Sequence, residues 1–149
     1  MSRVLYLGEF DPPTVVHDDV VQRASQRFDE IIVALWKSPL PNPLLSFEER
    51  FTLASALWAS PHISVRAADG DVATMLDATG ATGELVHLRG IGDWERLNVP
   101  TDHERLFLLV DAAHLPITSA LVREIVRLGG DVSDFVPQKV AEAIRAKSY

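Results

Sequence analysis

Five short apolar runs, each followed by a stretch of helical character, constrain this chain more than any other feature. The runs are Val4–Leu7, Ile31–Trp36, Ile63–Val65, Leu85–Leu88 and Leu106–Val110. Amphipathic patterns interleave with them at Val16–Phe28, Phe47–Ala59, Asp71–Ala78, Thr118–Leu128 and Gln138–Lys147. Strands that are apolar along their whole length are buried on both faces. The alternation therefore predicts an α/β class: a Rossmann-like, doubly wound, five-stranded parallel sheet with helices on both faces. Ligands of such sheets bind beyond the carboxyl ends of the strands, where the winding reverses. Gly8, Lys37, Arg89 and Asp111 stand at or near those ends. A length of 149 residues suits a single domain, 1–149, with a real core.

Local punctuation supports the element boundaries. Ser46 and Glu49 make a capping box at the start of the second helical pattern. Gly129-Gly130 ends the fourth, and Pro137 suits the first turn of the last. The segment Lys37–Leu45 holds three prolines and reads as a stiff wall beside the site.

The segment Gly8-Glu9-Phe10-Asp11-Pro12-Pro13-Thr14-Val15-Val16-His17 joins the first strand to the first helix. The first turn of a helix carries unpaired N–H groups and a partial positive charge, so it attracts phosphate. His17 adds a side-chain donor there; the plainer reading is a histidine that caps its own turn. Glu9 and Asp11 read either as a metal pair or as solvated, capping acids. Arg89 binds phosphate or pairs with Asp93 or Glu95. Arg123 faces the same site or makes a surface ion pair. His62, His87, His103 and His114 show no ligand spacing and read as surface or satisfied buried histidines. Trp36 reads as core, and Asp18-Asp19 as acids of a first helical turn.

Composition narrows the classes. With no cysteine, disulfides, thiolate catalysis and cysteine metal sites are excluded, which suits a cytoplasmic setting. The start of the chain reads as a strand rather than a signal peptide, and no apolar stretch is long enough to span a membrane. A net charge of −7 argues against a nucleic-acid partner, yet a single phosphate ligand needs only a local positive pocket.

The strand-to-helix segment resembles the nucleotidyltransferase signature G-x-F-D-P-x-T-x-G-H, with Gly8, Phe10, Asp11, Pro12, Thr14 and His17 retained. Within that superfamily the order of motifs resembles the phosphopantetheine adenylyltransferase family. The carriers are Arg27–Ala34, Ser38-Pro39, Ser46–Arg50, Leu88-Arg89-Gly90, Ile117–Arg123, and Gly130-Asp131-Val132 with Phe135-Val136-Pro137. The resemblance implies transfer of AMP from ATP to a phosphate-bearing acceptor, 4'-phosphopantetheine or a related compound, with release of pyrophosphate. It implies Mg²⁺ carried with ATP, no protein metal site, and a homo-oligomer, often a hexamer.

By the same resemblance His17 and Arg89 are catalytic. Gly8, Phe10, His17, Arg89, Gly90, Ile117, Thr118, Ser119 and Arg123 bind the nucleotide, and Glu9, Lys37 and Ala73 lie against the acceptor. The chain departs from the pattern at four places. Val16 replaces a glycine, and its bulk is expected to push the phosphates back. Glu9 replaces a hydroxyl residue; at about 4 Å and an effective dielectric near 20, its charge would repel a phosphate by roughly 4 kcal/mol. Pro41 replaces a lysine and Gly92 an arginine, removing two cationic contacts. These losses leave open a second reading, a paralogue that binds a nucleotide or CoA-like ligand, or serves as an assembly partner, without turnover.

Overall fold

The computed structural model describes residues 1–37 and 40–147. Ser38-Pro39 of the motif series and the last two residues lie outside that range. Five strands, β1 (Arg3–Gly8), β2 (Glu30–Trp36), β3 (Ile63–Ala68), β4 (Gly83–Leu88) and β5 (Arg105–Leu109), form one parallel sheet in the order β3-β2-β1-β4-β5. Six helices accompany them: α1 (Val15–Ser25), α2 (Phe47–Leu57), α3 (Val72–Thr79), α4 (Ile91–Leu97), α5 (Ser119–Arg127) and α6 (Gln138–Ala146). A 3-10 turn spans Ala112–His114.

Alternation along each strand sends side chains to two separate cores. Val4, Tyr6, Ile31, Val33, Leu35 and Leu85 pack with Val16, Val20 and Val21 of α1 and Ala54 of α2. Leu5, Ile32 and Ala34 pack on the opposite face with Met75 and Leu76 of α3. A third cluster joins α5 and α6 through Val122, Val126, Val140 and Ile144, and Leu57 and Phe135 connect it to the first. The centre of the sheet is thus covered twice, which explains why β1 and β2 read as unbroken apolar runs. Trp36 packs at the edge of the α3-side core, as its place at a strand end suggested.

Two parts of the fold differ from the sequence reading. Helix α1 stops at Ser25 instead of continuing to Phe28, because Phe28 turns back to pack against the first core. Helix α4 has no amphipathic signature: none of its residues is buried, and its N-cap, Gly90, makes no side-chain cap. It is held instead by Trp94, set edge-on to Phe107 of β5 at 5.2 Å, and by the Asp93 carboxylate on the Arg89 N–H at 2.8 Å. Its short apolar pattern, Ile91, Trp94 and Leu97, gives too little periodicity to read from sequence.

Candidate functional site

β1 stays paired with β2 through Gly8, but its pairing with β4 ends at Tyr6 and Leu85. Beyond that pair the two strands part, and a crevice opens where the strand order reverses. The strand-to-helix segment lies at the mouth of this crevice.

Packing fixes that segment before any ligand arrives. A Cβ on Gly8 would meet the Phe10 ring at 3.0 Å, so the ring's position requires glycine there. Phe10 sits at φ +52°, a left-handed conformation unusual for an aromatic residue. Its buried ring meets those of His17 at 4.8 Å, Tyr6 at 5.6 Å and Trp58 at 5.6 Å, and these contacts hold the conformation. The buried Asp11 carboxylate accepts from the backbone N–H groups of Leu44 and Leu45 at 2.9 and 2.8 Å. Asp11 thereby ties the proline-bearing segment after β2 to the motif. Three carbonyls of the motif accept from α2 or α5: Glu9 from Arg50 at 2.6 Å, Asp11 from Arg123 at 2.7 Å, and Pro12 from the Ser119 hydroxyl at 2.9 Å.

His17 takes the capping role that the sequence allowed, and takes it with one ring nitrogen only. Its Nδ1 accepts from the Thr14 backbone N–H at 2.9 Å, and the Thr14 hydroxyl accepts from the Val16 N–H at 3.2 Å, a capping box with histidine in the usual place of glutamate. A backbone N–H can only donate, so the ring's own proton lies on Nε2. Among the described residues Nε2 has no hydrogen-bond partner. Burial, then His87 and Arg89, push the pKa down to about 3, so the ring is neutral at pH 7. The result is a neutral imidazole that caps a helix with one nitrogen and offers an N–H with the other.

A second histidine, read from the sequence as one of four scattered ones, belongs to this cluster. His87 of β4 lies 5.8 Å from His17, ring centre to ring centre. The Tyr6 hydroxyl meets its Nδ1 at 2.8 Å. Burial, then Arg89, push His87 down to about 4, and burial pushes the Tyr6 phenol up. Its position two residues before Arg89, on the α1 side of β4, is the signal the sequence carried. The other histidines behave as read where partners are seen: His103 pairs with Glu84 at 2.7 Å, and His62 sits 3.3 Å from the Asp29 carbonyl.

The expected site residues divide into two groups. Gly8, Phe10, His17, Ser119 and Arg123 converge on the motif, while Thr118 caps α5 through the Leu121 N–H and Ile117 is buried in the first core. Arg123 reaches the motif rather than an acid, which settles its two readings. Arg89 also chooses neither acid with its guanidinium: Nη1 donates to the Leu115 carbonyl at 3.1 Å, leaving further donors on the fork. Gly90 opens α4. By contrast Glu9, Lys37 and Ala73 are exposed.

One expected obstacle lies elsewhere: the Val16 side chain is buried in the first core with Val4 and Tyr6, so its bulk fills hydrophobic space under α1. Glu9 is exposed. Pro41 and Gly92 are both exposed and offer no cation. Both oxygens of the Asp11 carboxylate accept backbone N–H groups, while Glu9 is exposed. Among the described residues no cluster of three or more His, Asp or Glu is placed to hold a metal ion.

Comparison with known proteins agrees with this geometry. Residues 5–125 match the family described as cytidylyltransferase-like. A candidate nicotinate-nucleotide adenylyltransferase from Vibrio parahaemolyticus superposes with a TM-score of 0.67 at 13% identity, covering 97% of this chain and 99% of that one. The nicotinic acid mononucleotide adenylyltransferase of Plasmodium falciparum, solved with APC, superposes with a TM-score of 0.68 at 14% identity, covering 97% and 94%. At these identities the two structures establish the fold. The match reaches the superfamily and does not single out the phosphopantetheine adenylyltransferases that the motif order resembles. With most of its length matched, including the motif segment, the crevice and the start of α5, the chain belongs to the cytidylyltransferase-like family of nucleotidyltransferases.

Proposed function

We propose that this protein transfers AMP from ATP to a small acceptor bearing a phosphate, and releases pyrophosphate. The observation that carries the reading is His17, a neutral imidazole fixed at the first turn of α1 with its Nε2 proton unclaimed beside the parted ends of β1 and β4. In the reaction an acceptor phosphate oxygen attacks the α-phosphorus in line. The bond from that phosphorus to the bridging oxygen breaks, and pyrophosphate leaves with the electron pair. No covalent enzyme intermediate is needed, so the protein positions reactants and stabilises spreading negative charge. His17 Nε2–H donates to an α-phosphate oxygen, and the start of α5 attracts the phosphates. The unclaimed donors of Arg89 add charge. Mg²⁺ enters with ATP, bound to phosphate oxygens and water, and neutralises part of their charge.

Support for ATP and for a phosphorylated acceptor comes from two sides. The Ile117–Arg123 segment resembles the adenylyltransferase motif, and both structural neighbours are named for nicotinate-nucleotide adenylylation. The motif order favours 4'-phosphopantetheine, whereas the neighbours favour nicotinate mononucleotide. Pro41 and Gly92 favour an acceptor of lower charge. Resemblance also supports a cytoplasmic homo-oligomer. The rival reading, a binding or assembly protein without turnover, draws on one feature: Ser119 and Arg123 give hydrogen bonds to the motif backbone.

Mass-spectrometric turnover with ATP, Mg²⁺ and each acceptor in turn tests this. His17→Ala is expected to lower kcat by about 10²–10³-fold, the usual cost of one donor to transition-state charge. Absence of adenylylated product from either acceptor at high enzyme concentration would leave the binding protein as the better reading.

A further inference from the structure

A cavity of about 260 Å³ lies against β4 and α4, lined among others by Tyr6, His87, Arg89 and Arg96. It reaches the place where β1 and β4 cease to pair, but α4 covers the other face of the sheet from His17, since its Trp94 meets Phe107, which is in register with Val86 and not with His87. Its acids are already engaged. Glu84 accepts from His103 and Arg105 at 2.7 and 3.2 Å. Asp93 accepts from the Arg89 N–H and from Arg96 at 3.1 Å, and these contacts hold its carboxyl below the usual range. Arg89 keeps further donors on its fork, and the ring of His87 lies on the α1 face of β4, towards Tyr6 and His17.

Hydrogen-bond logic fixes the state of that ring. The Tyr6 hydroxyl is buried and has no partner other than His87 Nδ1. If Nδ1 carried the proton, the phenolic O–H would be left buried and unpaired, a cost of about 1–3 kcal/mol. Tyr6 therefore donates, Nδ1 accepts, and the imidazole proton is on Nε2. Among the described residues that Nε2 has no hydrogen-bond partner. His17 is organised in the same way by the Thr14 N–H. The crevice thus presents two neutral imidazole N–H groups, one on α1 and one on β4, each with its tautomer set by a partner at Nδ1.

We propose that His87, oriented by Tyr6, is a second phosphate-binding histidine that holds the acceptor's phosphate while His17 holds the α-phosphate of the nucleotide. The inference rests on the nucleotidyltransferase reading of the site. It assigns the acceptor to His87 because the other phosphate-attracting element, the start of α5, lies against the motif at Pro12, whereas His87 stands apart from it on β4 with its ring towards His17. Ring centres 5.8 Å apart place the two donors close enough to hold two phosphates in contact distance. A neutral donor also replaces, without adding charge, part of what Pro41 and Gly92 removed.

The test compares His87→Phe, which keeps the ring and loses both nitrogens, with His87→Gln, whose amide N–H can reach the Nε2 position. With ATP, Mg²⁺ and the acceptor that turns over, His87→Phe is expected to raise the acceptor KM about 10- to 100-fold, as for loss of a hydrogen bond to a charged group. The KM for ATP stays within about twofold, and His87→Gln recovers most of the loss. A readout free of turnover uses ¹⁵N-histidine-labelled protein titrated with inorganic phosphate, in which the His87 Nε2 resonance is expected to shift. Equal impairment by both variants would reduce His87 to a structural role, and a rise in the KM for ATP alone would place the nucleotide there instead; either overturns the proposal. A phosphate shift at His87 with no turnover would uphold this subsite and remove adenylyl transfer. Turnover with His87 unmoved would do the reverse.

Discussion

The two walls of the crevice are built very differently. On the α1 side the motif segment is fixed from every direction: Asp11 holds two backbone N–H groups, Arg50, Arg123 and Ser119 hold three carbonyls, and Thr14 and His17 cap the helix. Trp58 closes this side from beneath, its Nε1 donating to Asp18 at 3.0 Å. Across the crevice α4 has no buried residue and no side-chain cap, and a Cβ on Gly90 or Gly92 would meet nothing within 4 Å. Under the proposed reaction a rigid wall would suit stabilisation of charge at the α-phosphate, because preorganised donors need no rearrangement during reaction, and an open wall would suit the acceptor. The departures fit this division: Val16 is absorbed into the core of the rigid side, while Gly92 lies on the open side.

The largest way to break the contrast is to cut the anchor of the rigid wall. Asp11→Ala removes two charge-assisted hydrogen bonds and takes away the side-chain acceptor of the buried Leu45 N–H. It should cost about 3 kcal/mol of unfolding free energy, read from urea denaturation. A loss below about 1 kcal/mol would show that the segment after β2 holds itself. Acid gives a more graded probe. His17 and His87 have folded pKa values pushed down to about 3 and about 4, below the ordinary 6.5. Their neutral forms thus favour the folded state, fully so above pH 6.5. Stability should fall as pH drops from 6.5 towards 4, and His87→Phe should flatten that slope. An unchanged slope would mean that these rings are well hydrated. The smallest effect is expected on the open wall. Gly92→Ala meets free space within α4 and should stabilise by about 0.5–1 kcal/mol through helix propensity alone. A destabilisation in thermal melts would reveal packing on that face.

The sequence carried the strands and five of the helices because their periodicity is set by burial on fixed faces, and it carried the motif because backbone turns demand particular residues. Ser46 and Glu49 form the capping box their spacing implied. It did not carry helix α4, which lacks an apolar stripe, nor the place of Val16, which depends on how α1 is rotated against the sheet. Arg50, buried against the Glu9 carbonyl, stood within a recognisable segment, but nothing local showed what it would reach.

The sequence by itself determined the α/β alternation, the strand-to-helix turn and the place of His17 in the first turn of α1, all consequences of neighbours a few residues apart. Tertiary structure alone decided which nitrogen of His17 remains for a ligand, and that His87 stands beside it. Residues 6, 17 and 87 meet only when β4 is laid against β1 and α1 is packed across them, an arrangement fixed by burial of distant strands that no local pattern encodes.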